Sequence, residues 1–168
     1  AMSREEELPN EGLKATFLRS MEEVTASVLK GVTSEMTEEQ RREVIAANSM
    51  ALMEEAVAGT HFTARVESFF AGNQYFLFVN EVFDDVRLVG APPSAIGKFG
   101  GDTDNWMWPR HTGDFALFRV YANENNAPSA YAETNVPYQP RHYFPVSSEG
   151  VKEGDFTMVF GYPGSTAQ

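Results

Sequence analysis

The feature of the sequence that most limits its fold is a change of composition near Gly59 and Thr60. Residues 1–60 contain one aromatic residue, Phe17, and one proline, Pro9, and all the other aromatic residues and prolines come later. Aromatic and β-branched residues separated by turn residues favour strands, whereas a segment poor in both aromatics and prolines favours helix. The sequence therefore predicts a helical segment over residues 1–59 and a β-rich remainder, which together make an α+β fold.

A first helix is predicted over about residues 12–30. Its apolar residues recur three or four positions apart, at Phe17, Met21, Val24 and Val28. This spacing is typical of one face of an amphipathic helix.

A second helix is predicted over about residues 38–57. Thr37 and Gln40 have the spacing of a capping box, and no glycine or proline follows them before Val57. Glu38 and Glu39 in the first turn suit the positive end of a helix dipole.

Five strands are predicted after Gly59. The segments rich in aromatic and β-branched residues are Val66–Phe70, Tyr75–Phe83, Val86–Val89, Asp114–Tyr121 and Phe156–Phe160. Gly72 and Asn73 have the chemistry of a hairpin turn, and the prolines of residues 123–145 indicate an extended connector. Short strands separated by turn residues favour an antiparallel barrel or sandwich.

Charge and composition exclude several classes of protein. The chain has 24 Asp and Glu against 13 Lys and Arg, a net charge of −11, which would repel the phosphates of nucleic acid. There is no cysteine, so thiolate metal sites and cysteine nucleophiles are excluded. No apolar stretch approaches the roughly 20 residues of a membrane helix, and the charged residues 4–7 do not resemble a secretory signal. We therefore expect no nucleic-acid partner and no membrane span.

The loop from Gly100 to Asp114 is the candidate functional site, because it is long and rich in polar and aromatic side chains. Asp102-Thr103-Asp104 begins like a calcium loop, but Trp106 and Met107 occupy positions that need a ligand and a glycine. A zinc site would have to combine His61, His111 and His142, which lack any short ligand spacing. We therefore predict neither a metal site nor a cofactor.

Asp114 follows Gly113 and begins a predicted strand, so its carboxylate is expected at the end of a barrel strand. A carboxylate fixed in this way could orient the histidine of a Ser-His-Asp triad. It could equally accept hydrogen bonds from turn amides, and the motif alone favours this second role.

Three runs of sequence resemble one family. They are residues 80–101 continuing through the candidate loop to Arg119, residues 5–10, and residues 150–164. With these runs the chain resembles, over essentially its whole length, the bacterial dipeptidyl peptidase 7 and 11 family of serine peptidases. The resemblance implies an antiparallel β core from a chymotrypsin-like double β-barrel, with residues 60–122 in the first barrel and 146–168 beginning the second.

The resemblance also implies roles for three residues. Asp114 matches the aspartate of the family's triad, and Asn105 and Trp106 match the pair that receives the free amino terminus of the substrate. An amide oxygen accepts a hydrogen bond from an ammonium group, and an indole ring attracts cations. The family's catalytic histidine and serine match no position here, and neither His111 nor Ser165 replaces them, so the chain itself is predicted to be inactive.

Further expectations follow from the resemblance. The partners would be peptides with a free amino terminus, and the location would be the periplasm or the cell surface. A divided barrel exposes strand edges, so a homodimer is a candidate assembly. The alternative function is a non-catalytic module that binds a peptide or a glycan through Trp106 and Trp108.

Overall fold

The computed structural model describes residues 1–101, 103 and 112–161. Its elements are β1 (Leu8–Pro9), β2 (Ala15–Glu23), α1 (Thr25–Val28), α2 (Glu38–Val57), β3 (Thr63–Phe69), β4 (Gln74–Phe83), β5 (Val86–Gly90), α3 (Ser94–Gly97), β6 (Leu117–Ala122) and β7 (Val136–Pro137). The strands form two antiparallel sheets, with the orders β2-β4-β3 and β1-β5-β6-β7. The α+β class with an antiparallel core is therefore confirmed.

The predicted helix over residues 12–30 is wrong. Residues 15–23 form β2, which pairs with β4, and only Thr25–Val28 are helical. A spacing of four positions, as between Phe17 and Met21, fits one face of a helix and also one face of a regular strand. In β2 the extra residue Arg19 places Phe17 and Met21 on opposite faces. Pairing with β4 selects the strand. If residues 15–23 were helical, the backbone groups along this edge of β4 would lose their hydrogen-bond partners.

The predicted second helix is confirmed as α2. The Thr37 hydroxyl accepts a hydrogen bond from the Gln40 amide at 3.3 Å, and the Gln40 side chain accepts one from the Thr37 amide at 2.9 Å. Asn48 then donates from its side-chain amide to the carbonyl oxygens of Val28 and Lys30, both at 2.8 Å. These contacts attach α2 to the turn after α1.

The core of the three-stranded sheet lies between β4 and α2. Alternate residues of β4 point toward the helix, and the buried cluster consists of Val24, Val28, Tyr75, Leu77 and Val79. Ile45, Leu52 and Met53 of α2 pack against this cluster. Burial of apolar surface stabilises this packing by about 25 cal/mol for each Å² removed from water.

The remaining predicted strands are confirmed in part. β3, β4 and β5 lie within a few residues of the predicted bounds, and the turn at Phe70–Gly72 connects β3 to β4. The fourth strand begins at Leu117 instead of Asp114. Residues 156–160 form no strand, and their large apolar side chains are exposed. A strand needs a partner edge, and this segment pairs with none of the described strands.

The extended connector packs on the sheets through aromatic side chains. Tyr138 lies 4.5 Å from Phe83 and 5.3 Å from Phe17 between ring centroids, and Phe17 meets Phe83 edge-on at 5.6 Å. Phe83 is completely buried at the point where β4 leads into β5. These rings join the two sheets, because Phe17 and Phe83 belong to one sheet and Tyr138 directly follows β7 of the other.

None of the helices in the described ranges is both long enough and apolar enough to cross a membrane.

Candidate active site around Asp114

Asp114 lies in the extended segment between α3 and β6. The preceding residue, Gly113, donates its backbone N–H to the Ile96 carbonyl oxygen at 3.1 Å, and the Thr112 hydroxyl donates to the Phe99 carbonyl oxygen at 3.0 Å. After Asp114 the chain enters β6, where Leu117 pairs with Gly90 of β5. Hydrogen bonds on both sides therefore hold the segment that carries Asp114.

Position 113 lies in close contact with α3, which leaves little room for a side chain. A Cβ atom there would lie 3.0 Å from the Cγ2 atom of Ile96. This separation is tighter than an ordinary van der Waals contact, so a larger residue would push the segment away from α3.

An open cavity of about 660 Å³ lies beside Asp114. The end of β5, helix α3 and the segment before β6 form its walls, with Pro92, Ser94, Lys98 and Phe115 among the lining residues. The Asp114 side chain is exposed, and it makes no hydrogen bond or ion pair with any residue of the described ranges. Its carboxylate is therefore accessible to a group entering the cavity from outside this part of the chain.

Both roles considered for Asp114 stay predictions. No described residue donates to its carboxylate, and the neighbouring loop residues 104–111 lie outside the described part of the chain. The expected position at the first residue of a strand is wrong, because Phe115 and Ala116 lie between Asp114 and Leu117, where β6 begins. These residues lie outside the strand because the β5–β6 pairing ends at Gly90 and Leu117.

Asn105 and Trp106 lie outside the described residues, as do His111, Trp108 and Ser165. Of the histidines considered for zinc, His61 contacts the buried Glu81 through Nε2 and Oε1 at 2.6 Å, and His142 is exposed. No group of three or more potential metal ligands occurs in the part of the chain that the structure describes.

A buried polar network lies at the other end of the β5–β6 pair. Arg87 donates to both carboxylate oxygens of Asp85, from Nε at 2.9 Å and from Nη2 at 2.7 Å. Asn135 donates to the same carboxylate at 2.9 Å, and Arg87 also donates to the Ala132 carbonyl oxygen at 2.9 Å. The network attaches the connector to β5.

The network changes the pKa values of its members. Burial acts to raise the pKa of the Asp85 carboxyl, but the hydrogen bonds from Arg87 and Asn135 outweigh burial, so this pKa is lowered. The bonds to Asp85 raise the pKa of the Arg87 guanidinium despite its burial. Both groups are therefore held in their charged forms.

A second buried carboxylate attaches the amino-terminal segment to β6. Glu7 accepts hydrogen bonds from Arg119 at 2.9 and 3.2 Å and from the Tyr121 hydroxyl at 2.9 Å. Burial, and the bond to Glu7, raise the pKa of Tyr121.

A third buried carboxylate, Glu81 of β4, binds Arg19 as well as His61. Arg19 is the extra residue at a register shift between Leu18 and Ser20, which turns its side chain toward β4.

Sequence reasoning did not identify these buried charges. The available signal is a charged residue inside an apolar strand, as with Arg87 between Val86 and Leu88 and Glu81 between Asn80 and Val82. Such residues are rarely buried unless they are paired. The pattern predicts a partner, but the identity of the partner depends on the tertiary fold.

Comparison with known proteins places the chain in a family of peptidases. The family described as Peptidase S46 matches residues 1–168, and the chain belongs to this family. The predicted family resemblance is therefore confirmed.

Two relatives illustrate the match. The chain is 58% identical over 168 residues to the Asp/Glu-specific dipeptidyl-peptidase of Flavobacterium psychrophilum. The aligned region covers 100% of this chain and 24% of that protein. It is 50% identical over 164 residues to dipeptidyl-peptidase 7 of Porphyromonas gingivalis, which covers 96% of this chain and 23% of that protein. The chain thus spans about a quarter of the length of these relatives.

The fold is similar to a solved structure of the same family. Porphyromonas endodontalis DPP11 in complex with the dipeptide Arg-Glu matches with a TM-score of 0.76 and 41% sequence identity. The match covers 92% of this chain and 24% of that one.

Proposed function

We propose that this chain is part of a serine exopeptidase, a dipeptidyl aminopeptidase that releases dipeptides from the amino termini of peptides. Membership of the Peptidase S46 family and relatives named dipeptidyl-peptidases support the reaction class. One of these relatives is named for Asp/Glu specificity and the other is not, so the proposal includes no preference for the residue before the cleaved bond.

The observation that carries the proposal is the accessible carboxylate of Asp114 beside its cavity. In the proposed triad a histidine takes the proton of the serine nucleophile, and Asp114 accepts a hydrogen bond from the other ring nitrogen of that histidine. The carboxylate holds the imidazole in the correct tautomer and stabilises the imidazolium that forms. This role needs a carboxylate with an unoccupied acceptor oxygen, and no described residue occupies those of Asp114.

Substrate selection is proposed to depend on Asn105 and Trp106. The amide oxygen of Asn105 would accept a hydrogen bond from the substrate ammonium, and the Trp106 ring would attract the same charge. A peptide held by its amino group presents a bond at a fixed depth to the nucleophile. Release of dipeptides follows from that fixed depth.

The remaining features of the proposal concern the whole protein. The double β-barrel, the supply of the histidine and the serine from outside this chain, and the consequent inactivity of the chain alone all follow from the family resemblance. So do a periplasmic or cell-surface location and a homodimeric assembly. The two open sheets are compatible with this picture, because each presents edges that further strands could pair with.

The proposal is tested by replacing Asp114 in the full-length protein. Asp114→Asn keeps the size of the side chain and removes its charge, and we expect kcat to fall by about 10³- to 10⁴-fold on dipeptidyl substrates. Asp84→Asn is the matched control, because Asp84 is also exposed and pairs only with Lys14 among the described residues. Unchanged turnover in Asp114→Asn would favour the alternative of a non-catalytic binding module.

Two further measurements complete the test. Substrates with a blocked amino terminus should be turned over far more slowly than the free forms if the ammonium is recognised. A fluorophosphonate probe should label the full-length protein but should not label the isolated chain. Stoichiometric labelling of the isolated chain would contradict the assignment of the nucleophile to a residue outside it.

A further inference from the structure

A second cavity, of about 570 Å³, lies at the end of the β5–β6 pair remote from Asp114. Arg87 at the start of β5 and Tyr121 near the end of β6 line it, together with Arg4 and Glu5 of the amino-terminal turn and Tyr131 and Glu133 of the connector. Cavities of roughly 300–1,000 Å³ are the size that binds small molecules. The volume is therefore suited to a ligand of a few tens of atoms or fewer.

The Arg87 guanidinium provides a fixed hydrogen-bond donor in this cavity. Its side chain is only 8% exposed, and its Nε and Nη2 atoms are bound to Asp85 and Ala132. Within the described ranges Nη1 makes no hydrogen bond, so this nitrogen is the donor available to a ligand. Carboxylate oxygens are the strongest acceptors for such a group.

Two aromatic rings hold that donor in place. The Arg87 Cζ atom lies 3.7 Å from the ring centroid of Tyr121 and 4.9 Å from that of Tyr131. The two stacked rings and the two bonds to Asp85 leave the guanidinium little freedom to move. A ligand would bind a donor that is already ordered, which reduces the entropic cost of binding.

Carboxylates line the same cavity. Glu5 and Glu133 are exposed and form no ion pair with any described residue, whereas the charge of Glu7 is already paired with Arg119. Arg4 is the remaining basic residue of the lining. Because the charge of Arg87 is paired with Asp85, the carboxylates without an ion pair among the described residues outnumber such cations, a balance that favours an ammonium group.

We propose that this cavity binds small zwitterions, with the ligand carboxylate on Nη1 of Arg87 and the ligand ammonium on Glu133 and Glu5. Free dipeptides carry both groups and fit the volume. The choice of dipeptides as natural ligands rests on the proposed function, but the zwitterion chemistry rests on the cavity alone.

The test places a 3-fluorotyrosine at position 131 of the full-length protein and follows its ¹⁹F resonance during titration. The ligands are a free dipeptide, the same dipeptide with an acetylated amino group, and the same dipeptide with an amidated carboxyl group. We expect a saturable shift with the free dipeptide below about 20 mM, and at least tenfold weaker binding of both blocked forms. An absent shift, or equal shifts with all three ligands, would overturn the proposal.

Glu133→Gln removes the charge proposed to bind the ammonium and should weaken binding about three- to fivefold, the range of an exposed ion pair. Glu124→Gln is the matched control, because Glu124 is an exposed residue of the same connector and does not line the cavity. Equal affinities of the two variants would overturn the ammonium assignment. If the full-length protein binds dipeptides at this cavity but has no peptidase activity, the proposed function is wrong and the cavity assignment stands. If it has peptidase activity but no such binding, the cavity assignment is wrong and the proposed function stands.

Discussion

Gly113 lies against Ile96 so closely that a Cβ atom at position 113 would come within 3.0 Å of the Ile96 Cγ2 atom. The contact, together with the hydrogen bond between the same residues, sets the path of the chain into Asp114. Helix α3 therefore determines where the candidate catalytic carboxylate lies, although α3 contributes no acidic residue itself.

Gly113→Ala should displace Asp114 and lower kcat of the full-length protein by about tenfold, with a loss of stability of about 1–2 kcal/mol. Gly90→Ala is the matched control, because a Cβ atom at Gly90 would contact nothing within 4 Å. Gly90 pairs with Leu117 of β6, the strand that follows Gly113. Enzyme kinetics and urea unfolding measure the two effects. Equal kcat values in the two variants would show that α3 does not position Asp114.

Removing Asp85 alone should lower the stability more than replacing both residues of the Asp85–Arg87 ion pair. Asp85→Ala leaves the buried Arg87 charge uncompensated, and we expect a loss of about 3–5 kcal/mol in the free energy of unfolding. The double variant Asp85→Leu with Arg87→Met removes both charges and should lose less. Denaturant titrations of both variants check this order, and a double variant less stable than Asp85→Ala would contradict it.

The lowered pKa of Asp85 predicts a loss of stability in acid. The pKa of its carboxyl lies below the ordinary value of 3.8 in the folded chain, because Arg87 and Asn135 donate hydrogen bonds to it, so the unfolded chain binds the proton more tightly. The contribution of Asp85 to the free energy of unfolding is therefore complete above about pH 5 and is lost as the pH falls through the pKa of the folded chain. The midpoint of urea unfolding, measured from pH 6 to about pH 3, should fall less steeply in Asp85→Asn than in the wild type. Parallel slopes would mean that Asp85 does not contribute to the acid sensitivity.

The capping box of α2 predicts a specific loss from a surface substitution. Thr37→Ala removes the hydroxyl that accepts from the Gln40 amide and should cost about 1 kcal/mol. Thr33→Ala is the control, because Thr33 is also exposed in the preceding loop and its hydroxyl makes no hydrogen bond in the described part of the chain. Thermal unfolding followed by circular dichroism measures the difference, and equal midpoints would exclude a role for the cap.

Removing the Tyr121 hydroxyl should weaken the attachment of the amino-terminal segment. Among the described residues, Tyr121→Phe leaves only Arg119 bound to Glu7, and we expect a loss of about 1–2 kcal/mol because the hydroxyl donates to a buried carboxylate. Tyr143→Phe is the control, because Tyr143 is 78% exposed. Hydrogen exchange at residues 7–10 should accelerate in Tyr121→Phe alone, and equal exchange rates would contradict the prediction.

Local sequence signals were reliable where the local chain supplies its own hydrogen bonds. Helix α2 begins after Thr37 because residues 37 and 40 satisfy each other's backbone and side-chain groups, and no distant residue is needed. The β3 and β4 strands were likewise visible from their β-branched and aromatic residues.

Local signals failed where two structures fit one pattern. The spacing of Phe17 and Met21 suits a helix and a strand, and pairing with β4 selects the strand. Residues 156–160 have strand composition but no partner among the described strands, so composition alone predicted a strand that did not form.

The sequence by itself determined the family of this protein, the helix α2 and the approximate bounds of β3 to β5, because each depends on residues close together along the chain. Only the tertiary structure decided that residues 15–23 extend along β4, that Asp85 meets Arg87 and Asn135, and that the Asp114 side chain is exposed beside a cavity. Asn135 lies 50 positions from Asp85, and Tyr121 lies 114 positions from Glu7. No pattern within a short window can specify such partners, since their contact exists only after the strands between them have paired.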